Sequence, residues 1–189
     1  MMQNIYERVC KWNSKRYDRV YDHNLTIQLL IEEYQEWLEA ESKVDELDAL
    51  CDIVYVAFGA IWKLDITDEE MQFGGETAYE SCMGFMQTDT CWPGYMVRVY
   101  IDQLIRDNTI TPAVALWHIV QFAMVQMTSL GLTMEECLKA LDIVCDSNDS
   151  KTVEKTSPDV KANLDKGAFF VAPEPRLTKL LEQANARFS

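Results

Sequence analysis

The stretch Glu32-Glu33-Tyr34-Gln35-Glu36, followed after a short break by Asp48-Ala49-Leu50-Cys51-Asp52, decides how this chain is read. Both groups sit inside helical patterns. Glu33 and Glu36 are three apart and Asp48 and Asp52 four apart, so each pair shares one helix face. The break at residues 40–43 is short enough to fold the helices back as an antiparallel hairpin. Four carboxylates then converge between two helices. Asp52 lies in A-L-C-D-I-V-Y-V-A-F, apolar on nearly every side, which predicts burial. A buried carboxylate costs several kcal/mol unless it is paired or bound to a metal. That run holds no Lys or Arg, and hard oxygen ligands suit Mg²⁺ or Mn²⁺. Glu32, Glu39 and Glu46 read equally well as a solvated face.

Charge narrows the partners. The chain has 189 residues with 17 Lys and Arg against 31 Asp and Glu, a net charge of −14. Nucleic-acid polymers need a basic footprint and are not expected. A triphosphate would need a divalent cation to offset the negative field. The six cysteines form no C-x-x-C pair and read as reduced thiols of a cytoplasmic protein. The N-terminus lacks the apolar run of a secretory leader. The longest apolar run, residues 113–127, is too short for a bilayer, so no membrane partner is expected.

The periodicity predicts one all-α domain over residues 1–189. Helices are expected over residues 3–17, 25–41 with Asn24 as N-cap, 44–63, 95–106, 112–130, 133–145 and 174–186. Thr67-Asp68-Glu69-Glu70 predicts a capping box, and Gly74-Gly75 predicts a break in the helix that follows. Pro93-Gly94 predicts a turn. His118 reads as a satisfied core histidine. Residues 146–173 read as a long loop, functional or disordered.

The acidic pattern resembles the all-α nucleoside triphosphate pyrophosphohydrolases, which include MazG-type enzymes, dimeric dUTPases and phosphoribosyl-ATP pyrophosphohydrolase. The usual second motif of that superfamily, E-x-x-D, fails here because position 49 is alanine. The D-x-L-x-D-x-x-Y form at Asp48 to Tyr55 resembles the phage MazG-like branch. So do the Trp12-Asn13 pair, Ser147-Asn148-Asp149-Ser150-Lys151, and Lys166-Gly167 followed by Phe170 and Pro173. In that branch Met stands at 149 and His-Arg at 145–146, so one basic phosphate ligand is missing here. The resemblance implies a four-helix-bundle core and Mg²⁺-dependent (Mn²⁺ also serving) hydrolysis of a (d)NTP to (d)NMP and pyrophosphate. It implies metal on Glu33, Glu36, Asp48 and Asp52, with Glu32 behind them as a supporting residue or general base. Trp12, Asn13, Asn148, Lys151 and Lys166 would contact substrate. For Trp12 and Asn13 a core and a helix-end role fit the residues too. A dUTPase-like or phosphoribosyl-ATP-like activity is the enzymatic alternative, and an acidic helical interaction protein the non-catalytic one. A homodimer is compatible with the resemblance.

The chain also repeats itself at an offset of sixty-six. Asp52-Ile-Val-Tyr-Val-Ala-Phe aligns with His118-Ile-Val-Gln-Phe-Ala-Met, and Leu64-Asp-Ile-Thr-Asp-Glu-Glu with Leu130-Gly-Leu-Thr-Met-Glu-Glu. This predicts an internal pseudo-dimer: a catalytic hairpin over residues 25–66, a degenerate one over 91–132, and residues 146–173 covering the substrate. The second copy has Val99, Val114 and His118 where the first has Glu33, Asp48 and Asp52, and keeps only Asp102 opposite Glu36.

Overall fold

A computed structural model describes residues 2–86, 92–106, 110–151 and 168–188. Those residues form helices and no strand. The acidic hairpin is α2 (His23–Leu38) and α3 (Lys43–Lys63), preceded by α1 (Met2–Ser14). Asp22, rather than Asn24, caps α2 and accepts from the Leu25 amide; the helix starts two residues earlier than expected, so the free N–H groups of its first turn shift with it. Ser42 caps α3. A second hairpin follows after α4 (Asp68–Met86), made of α5 (Pro93–Arg106) and α6 (Pro112–Thr128), with Thr111 as cap and Pro112 in the first turn. Then come α7 (Met134–Ser150) and α8 (Glu174–Asn185). The two hairpins pack through α3 and α6. Both are apolar enough to be buried on most sides, with Leu50, Ile53, Phe58, Leu116, Ile119 and Met124 fully enclosed.

Three expectations are corrected. Gly74-Gly75 does not break α4. A Cβ at Gly74 would lie 2.6 Å from Trp117 Cδ1, so glycine here lets α4 lie against a ring of α6. Pro93-Gly94 opens α5 rather than preceding it, and a Cβ at Gly94 would meet the Trp37 ring at 2.1 Å. Helix α7 runs five residues past Cys145, so Ser147 and Asn148 are helical, not loop. Its inward stripe simply continues through Val144, Ser147 and Asn148, all buried.

The repeat extends to backbone detail. The described non-glycine and glycine residues with positive φ are Asp65 (53°) and Gly131 (92°), sixty-six apart. Each follows the middle helix of a copy and leads into a capping box. Thr67 and Glu70 exchange backbone and side-chain hydrogen bonds; Thr133 and Glu136 do the same. The third helices cross over: α4 packs on α6 and α7 on α3.

Thr133, Glu136 and Arg187 give a pH-readable stability feature. The Thr133 backbone amide, then the Arg187 guanidinium at 2.7 Å, hold the Glu136 carboxyl down at about 2. A depressed carboxyl stabilises the fold above its unfolded value, near 4.5, and that contribution vanishes as pH falls through about 2. Both groups are partly exposed, so the effect is about 1 kcal/mol. Glu136→Gln should therefore lower stability to urea at pH 7, with the gap to the parent closing between pH 4.5 and 2. A gap that stays constant with pH would refute the assignment.

Candidate active site

Asp48 and Asp52 lie one turn apart on α3, on the side that α7 covers. An open pocket of about 410 Å³ lies there, lined by Asp48, Asp52, Val144, Ser147, Asn148, Lys151, Phe170, Pro173 and Glu174. Three segments distant in sequence build it: the middle of α3, the C-terminal end of α7 and the start of α8. Thus two of the expected acidic residues meet two of the expected substrate contacts. Lys151 donates from Nζ to Asn148 Oδ1 at 2.7 Å, which aims a cation and an amide at the same opening.

The electrostatics of Asp48 are those of a crowded anion. Its carboxyl is pushed up to about 6, first by burial and then by the charges of Glu174 and Glu33, with Lys151 opposing. One oxygen, Oδ1, is buried without a hydrogen-bond partner. An orphaned carboxylate oxygen of this kind is what a hard cation satisfies, and oxygen donors from Asp and Glu are its preferred ligands. The residues therefore fit a divalent ion. Among the described residues, no three His, Cys, Asp or Glu side chains already close on a common point at ligand spacing.

The other expected residues are distributed differently. Glu33, placed at the core edge by sequence, is 4 % exposed and sits behind the pocket, near enough to act on Asp48. Asp52, expected to be buried, is half-buried because it faces the opening. Glu36 is exposed and does not line the pocket. Glu32 takes a hydrogen bond from Gln28 at 3.0 Å along the outer face of α2 and also lies outside the pocket. Trp12 and Asn13 are core residues rather than pocket walls. Trp12 donates from Nε1 to the Asn148 carbonyl at 2.7 Å, packs edge-on to Tyr55 and carries the buried Arg16 over its ring. Asn13 bonds back to the Val9 carbonyl and fills the space beside Gly59. Trp12 thus supports the α7 end that carries Asn148, and Asn13 the packing of α1 on α3. Lys166 lies outside the described residues, as does most of the covering loop; its described end, residues 168–173, does reach the pocket through Phe170 and Pro173.

Sequence reading missed Ser147, Val144 and Glu174. An end at Cys145 leaves Ser147 outside the helix, and Val144 reads only as one more apolar core position of α7. Glu174 carried no signal beyond its place in the first turn of a terminal helix. It also left Asp146 only as a departure from a basic pair. Asp146 instead bonds Arg8 of α1 at 2.8 Å and Arg176 of α8 at 2.6 Å, while Arg8 also pairs with Asp142 and Asp149. This network joins both chain ends to α7.

At the sixty-six-residue offset, His118 aligns with Asp52 and Ser81, on α4, with Ser147. The side chains of His118 and Ser81 touch, Nε2 to Oγ, at 3.1 Å. The Tyr100 ring stacks on His118 at 4.2 Å, and His118 is 3 % exposed. Burial lowers its pKa, so the imidazole is neutral, and Nδ1 donates to the Val114 carbonyl at 2.7 Å. His118 is a satisfied core histidine, filling with packed rings the place that Asp52 leaves open.

Comparison with known proteins supplies one match. Residues 1–72 match the phosphoribosyl-ATP pyrophosphohydrolase family model. Over those residues the chain is similar to that pyrophosphohydrolase family. That segment holds α1 to α3 and the opening of α4, hence Glu33, Glu36, Asp48 and Asp52, but not α7 or α8. The pyrophosphohydrolase match does not single out the phage MazG-like branch. No curated protein and no solved structure matches the chain. Among the described residues, no helix is long and apolar enough to cross a membrane.

Proposed function

We propose that the chain is a metal-dependent nucleoside triphosphate pyrophosphohydrolase with one active site, on the first hairpin. The observation that carries this is the pocket itself, where Asp48 and Asp52 face Asn148 and Lys151. Two carboxylates on one wall suit a cation, and an ammonium and an amide on the other suit the phosphate oxygens of a substrate.

Asp48 and Asp52 would hold Mg²⁺ or Mn²⁺, with Glu33 behind them; Glu36, exposed outside the pocket lining, has no direct part in this reading. Such a cation, held by these carboxylates, would supply charge to offset the phosphates and would lower the pKa of a water molecule. Lys151 would grip the phosphate chain, its direction set by Asn148. Asn148 is in turn fixed by Trp12 through its carbonyl. Phe170 offers an apolar wall for the base or sugar. The chain supplies positioning and charge; no covalent nucleophile is needed. Glu32 has no part in this reading, since it faces away from the pocket. The second copy would pack against the first and carry no chemistry, because Val99, Val114 and His118 replace three of the four carboxylates. The similarity of residues 1–72 to the phosphoribosyl-ATP pyrophosphohydrolase family favours phosphoribosyl-ATP as a second substrate candidate.

The test is a pyrophosphate-release screen over the eight common NTPs and dNTPs, dUTP and phosphoribosyl-ATP, with Mg²⁺ or Mn²⁺. At least one should turn over, and EDTA should stop it. The same ions should raise the melting temperature, since ligand at a hundredfold excess over Kd adds about 2.7 kcal/mol. No turnover, together with a melting temperature unmoved between EDTA and millimolar metal, would rule the proposal out.

A further inference from the structure

Helix α8 is docked with unusual economy of motion for a C-terminal segment. Leu177, Leu180, Leu181 and Ala184 are buried, against α3 and α7. Pro173 is buried at its start, and the Val171 amide donates to Ser150 Oγ at 2.9 Å. In the first turn, Arg176 reaches Asp146 at 2.6 Å, and Asp146 is itself held by Arg8 at 2.8 Å. The residue this anchoring presents to the pocket is Glu174, beside Asp48 and Asp52.

A third carboxylate on that wall is costly by itself. Arg176, two residues on, is engaged by Asp146, Lys151 in the same lining donates to Asn148, and like charges repel more strongly in a partly dry cleft. A first-turn carboxylate gains only a few tenths of a kcal/mol from its own helix dipole. The placement is favourable once a cation sits between the walls.

We infer that Glu174 is a further carboxylate of the cation site, delivered from the C-terminal helix, and that Arg176, through Asp146, is the positioning residue that keeps it there. This rests on the metal-dependent reading above. The cation would then be enclosed from two sides, by α3 and by α8. Since the three carboxylates do not yet close on one point, Glu174 engages by a small approach or through a bound water.

The experiment is Mn²⁺ titration of the full chain followed by electron paramagnetic resonance, with no substrate present. The proteins are wild type, Glu174→Gln, Arg176→Ala, Arg176→Lys and the double variant E174Q/R176A. Glu174→Gln should weaken Mn²⁺ on the order of tenfold. Arg176→Ala should weaken it severalfold and Arg176→Lys should recover most of that. In the Glu174→Gln background, Arg176→Ala should add nothing, since its effect passes through Glu174. Unchanged Mn²⁺ affinity in Glu174→Gln overturns this inference and leaves the wider reading standing. A full Arg176→Ala effect in the double variant overturns the positioning role. Wild type that takes up no Mn²⁺ overturns the metal-dependent reading itself, and this inference with it.

Discussion

Asp52→Asn should abolish pyrophosphate release, and Asp48→Asn should do the same. Each removes one negative ligand from a partly dry site, which costs about 4 kcal/mol of transition-state stabilisation, or roughly 10³-fold in rate. Asparagine keeps the shape, so the fold should survive. For Asp48 the sign of the stability change is also fixed. Its carboxyl is pushed up to about 6 by burial and neighbouring acids, so at pH 8 it is ionised against the preference of the folded state. Removing that charge should leave the metal-free protein as stable or more stable by chemical denaturation. The same variant should lose the melting shift that metal gives the parent. Activity within tenfold of wild type in either variant would refute the assigned roles.

Lys151→Ala should lower kcat/KM about a hundredfold with the preferred substrate. A lysine contact to a charged phosphate is worth up to about 3 kcal/mol, and the chain around this pocket is otherwise strongly acidic. Arginine at 151 should recover only part of it, because the planar fork cannot occupy the ammonium's place beside Asn148 Oδ1. Steady-state kinetics decide the point. A loss below about threefold would mean that Lys151 serves the end of α7 rather than the substrate.

Much of this site is legible in the sequence because it is local. Three- and four-residue spacing on α2 and α3 gives the carboxylate faces, and the Thr-x-x-Glu pattern gives both capping boxes, since each depends on contacts inside one turn. Burial is not local, and there the reading slips. Glu33 is more buried and Asp52 less buried than expected, because Asp52 faces the pocket between α3, α7 and α8 while α2 packs on α3 and α5. Gly74-Gly75 reads as a breaker until Trp117 is known to lie against it. Helix α7 is cut short because S-N-D-S-K has the composition of a loop, while its buried face is fixed by α1 and α3. Glu174 lies more than a hundred residues from Asp52. Only docking of α8, through Arg176 and Asp146, brings the two together.

The crossing of the third helices has a consequence for how this chain could have changed over time. Helix α7 follows the second hairpin in sequence, yet it walls the pocket of the first. The half that keeps only Asp102 of the four carboxylates thus places Ser147, Asn148 and Lys151 in the pocket of the other. Under the proposed function its own middle helix, with Val114 and His118, would be free of chemical constraint. Its last helix has no such freedom. Selection on activity would press on the two halves unequally and on both at once, and neither could be shed as a spare.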